Sequence, residues 1–240
     1  MTSKCAALGL ILLGLTAVLR SEDAPDDQPL TPYQTALLDY KSGKYEEAHT
    51  AIDVAEKAKP GDPATEILKA RILTEQHEYA EGEKLLLSLL TGTPIQVTAD
   101  VRLQVQLALG DLFLRKHSFD HAAKYYSLAL QAKPNDPDIT LKLVYAKTCA
   151  SDLLAAGKYA SQLKPLDTDH PCYYFAKAAL AQSTGKAQEA EDAIQTARTI
   201  YGITVTNRYL KTYLEVFTSP EKGPTSDVTP PPLLKNPTPK

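Results

Sequence analysis

Apolar side chains recur at helical spacing across residues 31–218, and short polar turns interrupt them at regular steps. The clearest stretch is 103–134, LQVQLALGDLFLRKHSFDHAAKYYSLALQAKP. It predicts two amphipathic helices joined by a tight turn. Gly110 marks where the first helix lets the second come close, Tyr126 fills the space between Ala122 and Ala129, and Pro134 ends the second helix. The same pairing is predicted for 31–42 with 45–59, 64–76 with 79–90, 138–149 with 152–164, and 172–182 with 187–200. Thr31 followed by Pro32 reads as a helix start, because proline suits the first helical position. Thr93-Pro94 reads as the start of an extended first helix in the third pair. Gly157 falls inside a helix of the fourth pair, at a cost of about 1 kcal/mol relative to alanine. A last helix over 207–218 carries Leu210, Tyr213, Leu214 and Phe217 at helical spacing and is expected to cover the open end of the stack.

The pairs repeat. Pro60 and Pro94 stand 34 residues apart, and the step from Pro94 to Pro134 is 40, which places an insertion of about six residues near 95–100. Ala122, Ala156 and Ala190 keep the 34-residue step. Matching places are held by Ala36, Ala70 and Gly110, by Tyr45, Tyr79 and Phe119, and by Ala48, Gly82 and Ala122. Small residues at fixed spacing have a packing reason, since two helices cross closely only where side chains are short. On these residues the chain resembles the tetratricopeptide repeat family, whose two-helix units are about 34 residues long. The resemblance covers five units over 29–201. The fourth and fifth units depart from the pattern, with Thr168 and Gly202 in place of the proline and Leu153 and Ala187 in place of the aromatic. The resemblance implies an all-α fold: a right-handed α-solenoid of about five helix-turn-helix units plus a C-terminal capping helix.

It also implies where binding occurs. In this family the first helices of the units line an inner wall. Carried over unit by unit, that wall comprises Tyr33, Leu37, Tyr40 and Lys41, then Ile67, Arg71 and Glu75, then Leu107, Asp111 and Arg115, then Leu141, Tyr145 and Cys149, and finally Phe175. Tyr33, Leu37, Tyr40, Arg71, Asp111, Arg115, Tyr145 and Phe175 are the expected protein-binding groove, with Tyr40, Arg71, Arg115 and Tyr145 as its main contacts. Tyrosine suits such a wall because it buries a ring and keeps a hydroxyl for a partner. The bland alternative is that several of these rings pack between adjacent helices. A second alternative is that the chain's own tail, 230–239, fills the groove. Family members that clamp a terminal carboxylate use lysine and asparagine where this chain has Tyr33 and Leu37, so that role is not implied.

The N-terminus adds a destination. Lys4 precedes an apolar run of 14 residues, 6–19, closed by Arg20. The run is short for a spanning helix, which needs about 20 apolar residues, and suits a secretory signal. A retained N-terminal anchor is the alternative, and only then is a membrane a partner. Residues 1–20 are thus a signal segment or anchor, 21–30 an acidic proline-broken linker, 31–218 the repeat domain, and 219–240, with seven prolines in 22 residues, a disordered tail. Without the signal segment the chain has 24 basic and 29 acidic residues, a net charge of −5. No basic excess points to nucleic acid.

No pattern selects a catalytic group. The chain has no phosphate-cradling glycine loop, no Gly-x-Ser-x-Gly and no His-Glu-x-x-His. His77 and His117 occupy the place of the turn residue Gly43. They read either as stacked metal ligands or as turn residues that tolerate a left-handed backbone, and the second is simpler. Cys149 and Cys172 lie near opposite ends of neighbouring helices and are expected to be reduced. No cofactor or metal is expected. The expected function is that of an exported, non-enzymatic scaffold, periplasmic or extracellular, which binds an extended or helical segment of another protein. An anchored part of a cell-envelope assembly and an enzyme with an unfamiliar site are the alternatives.

Overall fold

The computed structural model describes residues 29–91, 97–165 and 170–218. The expected signal segment, nearly all of the linker, the proline-rich tail, and Thr93 with Pro94 lie outside the described residues. The described residues form ten helices and no strand. They are α1 (Pro32–Lys41), α2 (Tyr45–Ala58), α3 (Pro63–Glu75), α4 (Tyr79–Thr91), α5 (Ala99–Arg115), α6 (Phe119–Ala132), α7 (Pro137–Cys149), α8 (Leu153–Ala160), α9 (Cys172–Ser183) and α10 (Ala187–Phe217). Gly202, at φ 78° and ψ 162°, breaks α10 into two arms, 187–201 and 203–217.

Consecutive helices pair into five hairpins, and one turn geometry closes all of them. Gly43, His77, His117, Ser151 and Gly185 each adopt a φ between 58° and 75°. The residue after each donates its N–H back across five residues: Lys44 to Asp39, Glu78 to Leu73, Ser118 to Phe113, Asp152 to Lys147, and Lys186 to Ala181, at 2.8–2.9 Å. This left-handed closure takes up carbonyls that the helix end leaves unpaired. His77 and His117 are therefore turn residues. The His77 ring also meets Tyr79, with Nδ1 2.7 Å from the hydroxyl.

Turns between units repeat as well. Asp62 and Asp136 cap α3 and α7 by accepting the N–H of Thr65 and Ile139, and each is followed by proline at the first helical position. Gly61 and Asn135 before them have positive φ. Thr31 and Gln34 form a reciprocal cap at the start of α1, with the Thr31 N–H donating to Gln34 Oε1 at 2.9 Å.

The helices cross where the chain is thin. Ala36, Ala48, Ala70, Ala122 and Ala156 are fully buried. A Cβ on Gly110 would stand 2.6 Å from Cδ1 of the Tyr126 ring, so only glycine admits that ring.

Three boundaries differ from expectation. Thr98, not Thr93, caps α5, accepting from the Val101 N–H at 3.2 Å. Helix α8 ends at Ala160 instead of Lys164, since Lys164 precedes Pro165 and a residue before proline is pushed out of helical geometry. The last helix begins directly after Gly202 instead of at Asn207. Cys149 and Cys172 are free thiols. Burial pushes Cys149 up to about 12.

Candidate protein-binding groove

The first helices of the second to fourth units, α3, α5 and α7, carry a charged wall. On α5, Arg115 Nη2 lies 2.8 Å from Glu75 Oε1 of α3. Asp111 accepts from Lys142 Nζ of α7 at 2.6 and 2.8 Å and from Tyr126 Oη at 2.7 Å. Burial by itself raises the Asp111 carboxyl, but the Lys142 charge and these hydrogen bonds outweigh it and hold the group below the usual carboxylate range. Arg71 Nη2 donates to Gln104 Oε1 at 2.8 Å, and its Nε is buried without a hydrogen-bond partner. Burial pushes the Tyr40 hydroxyl up, and Glu75 and Asp111 push it further.

Arm 203–217 lies against this wall. Its Tyr209 ring stacks on Phe175 of α9 at 5.6 Å, and Tyr213 meets Phe175 at 6.2 Å and Tyr145 of α7 at 6.3 Å. Phe217 stands edge-on to Tyr145 at 5.3 Å. Tyr209 Oη donates to Asp138 Oδ1 at 2.7 Å. The arm's charges reach further along the stack. Glu215 Oε2 lies 3.0 Å from Arg115. Lys211 Nζ lies 3.6 Å from Glu75 and donates to Tyr45 Oη of α2 at 2.7 Å. The arm is a capping helix for α9, but it also runs over the first helices of the preceding units.

A cavity of about 780 Å³ remains between arm and wall. Of the expected groove residues, Tyr40, Arg71, Asp111 and Arg115 line it together, and Lys41 and Glu75 join them. Tyr33 and Leu37 do not line it. They are half-buried and pack on the core of the first unit. Tyr145 and Phe175 are 1% and 0% exposed, under the rings of the arm, so they present no open surface while the arm is docked. Lys142, Arg208, Lys211 and Glu215 complete the cavity and were not expected there. Their only signal in the sequence is the polar side of the last helix and one lysine beside Leu141. Six cationic side chains line the cavity (Lys41, Arg71, Arg115, Lys142, Arg208 and Lys211) against three carboxylates (Glu75, Asp111 and Glu215). With the arm docked the cavity is therefore net positive, although the whole chain carries a formal charge of −3.

This architecture is a helical solenoid of the tetratricopeptide-repeat type. It is similar to TTC0263, a thermophilic TPR protein of Thermus thermophilus, with a TM-score of 0.61 and 20% identity over 76% of this chain and 97% of that one. It is also similar to MamA of AMB-1, with a TM-score of 0.51 and 16% identity over 70% of this chain and 96% of that one. At these identities the likeness is one of fold. No protein-family model matches the sequence, and no curated protein matches it either. Among the described residues no helix is long and apolar enough to cross a membrane.

Proposed function

We propose that the protein is an exported, non-catalytic scaffold that holds a helical or extended segment of another protein along its inner wall. The observation that carries this reading is the cavity of about 780 Å³, in which Tyr40, Arg71, Asp111 and Arg115 from three successive first helices converge. A surface already formed binds without ordering itself first, so less affinity is lost to ordering. Tyrosine and arginine are the types that most often dominate binding energy, at about 2 kcal/mol or more each when truncated. The repeat fold supports a protein or peptide as partner. Lys4 and the apolar run over 6–19 support export, with residues 1–20 removed, 21–30 as a spacer, 31–218 as the binding domain and 219–240 as a proline-rich tail.

The test is capture from an envelope extract by the protein and by its Arg71→Ala variant, with mass spectrometry of what each retains. Arg71 is half-buried and its bond to Gln104 is exposed, so truncation is expected to change the melting temperature little. A partner retained by the parent and lost by the variant supports the groove. Equal retention by both places binding on another face. N-terminal sequencing of the same sample reads the fate of residues 1–20. An intact N-terminus in the membrane fraction replaces export with anchoring.

A further inference from the structure

We infer that arm 203–217 is a built-in occupant of the groove, and that the external ligand is an amphipathic helix of the arm's own pattern. That pattern is three aromatic rings at four-residue steps, Tyr209, Tyr213 and Phe217, with a carboxylate, Glu215, two residues before the last ring. The inference rests on the binding role proposed above and names its ligand class.

Four observations carry it. First, the three rings share one helix face and insert against Tyr145 and Phe175, which is how an amphipathic helix lies in a groove. Second, about 780 Å³ stays open along the polar side of the arm, lined by its Arg208, Lys211 and Glu215. Third, Tyr145 is 1% exposed, and its hydroxyl has no hydrogen-bond partner under the arm's rings. A helix that brings an acceptor to that hydroxyl has an advantage over the arm. Fourth, the arm joins the stack through a glycine. Gly202 holds a backbone geometry open to glycine, and no atom lies within 4 Å of where its Cβ would be. Release of the arm by rotation there disturbs the buried Thr206, whose hydroxyl donates to the Gly202 carbonyl at 2.8 Å.

The exchange is tested with the full chain and a fluorescent synthetic peptide of residues 203–217 as probe, read by anisotropy. The tethered arm competes at an effective concentration of about millimolar, so the parent is expected to bind the probe weakly. Glu215→Arg in the chain sets the arm against Arg115 of the wall and should tighten probe binding at least tenfold. Gly202→Ala, which strains the break and favours a straight α10, should do the same. If Gly202→Ala does not fold, Glu215→Arg decides, because it alters a partly exposed charge and leaves the ring cluster intact. A probe with Tyr213→Ala and Phe217→Ala should lose binding. A Glu215→Arg probe should bind the Arg115→Glu chain better than the parent chain. Dimers of Gly202→Ala with exchanged arms also support the inference, since one groove has then taken another chain's helix. Equal probe binding by parent and Glu215→Arg, or equal binding of the alanine probe, overturns it. Arg71-dependent capture from the envelope without probe binding overturns this ligand class alone and leaves the scaffold role standing.

Discussion

Arg115 of α5 bridges Glu75 of α3 at 2.8 Å and Glu215 of the last arm at 3.0 Å. One guanidinium thus joins two units of the stack to the helix that lies across them. The Glu75 side chain is only 9% exposed, and Arg115 is its nearer cation, with Lys211 at 3.6 Å. Arg115→Ala is expected to lower stability by about 1–3 kcal/mol, less than for a fully buried pair because Glu215 and Arg115 still meet water. Urea unfolding of Arg115→Ala beside Arg71→Ala measures it. Equal, small losses in the two variants would mean that Arg115 is a solvated wall residue and not a tie.

Gly110 predicts a steric effect of the opposite kind. An added methyl group would press into Tyr126, which is fully buried and held by its bond to Asp111, so the ring cannot swing away. Gly110→Ala is expected to cost about 1–3 kcal/mol through overpacking, despite alanine's better helix propensity. For a domain of this size each kcal/mol lowers the melting temperature by about 2–4 °C. Replacing Tyr126 by leucine in the same chain should recover part of the loss. A Gly110→Ala protein as stable as its parent contradicts the close crossing.

Lys142 sets a pH dependence. It is the main group that holds the Asp111 carboxyl low against the upward push of burial. A carboxyl whose folded value lies below its unfolded value stabilises the fold above the unfolded value, and that contribution is lost as pH falls through the folded one. Lys142→Met is therefore expected to cost about 1–3 kcal/mol near pH 7. The gap between variant and parent should narrow as pH falls below the ordinary carboxylate value of about 4 and on through the parent's lower folded value, where the carboxyl is protonated in both. Acid should therefore remove more stability from the parent than from the variant, since only the parent has a low carboxyl value to lose. Thermal melts across the acid range read both effects, and a gap independent of pH rules out the pair as its cause.

Tyr145 carries a hydroxyl that is buried and unpartnered, and burial pushes its ionisation well above the usual tyrosine value. Removing that hydroxyl removes a desolvation cost. Tyr145→Phe is expected to stabilise the free protein by about 1–2 kcal/mol and raise its melting temperature. A lower melting temperature would show that the hydroxyl is paired through water.

Much of the fold was legible in the chain because its determinants are local. The steps between Ala122, Ala156 and Ala190 mark where helices cross, and the crossings need short side chains wherever they fall. His77 and His117 stand where Gly43 stands because each turn needs a left-handed residue, and the backbone adopts it at all three. Ser151 closes the fourth turn at φ 63° with no sequence mark, since its hairpin geometry imposes the conformation on a residue with no special preference for it. Gly202 stood in the repeat as a missing proline. A break between the helices over 187–200 and 207–218 was expected, but not that the second helix starts directly after this glycine, because the apolar spacing marks the helix face and not its first residue.

Local spacing was enough to define the repeat: five helical hairpins, their turn positions and the face each helix buries, all set within about 34 residues. The family resemblance also grouped Tyr40, Arg71, Asp111 and Arg115 on one wall, because the wall positions it implies recur in successive first helices. What lies on that wall came from the assembled fold alone. Spacing reports the face of a helix and not which distant helix will cover it. Lys211 reaches Tyr45 across 166 residues of chain, and Tyr209 reaches Asp138 across 71, so the docking of the last arm and the burial of Tyr145 and Phe175 beneath it follow from contacts that no local pattern encodes.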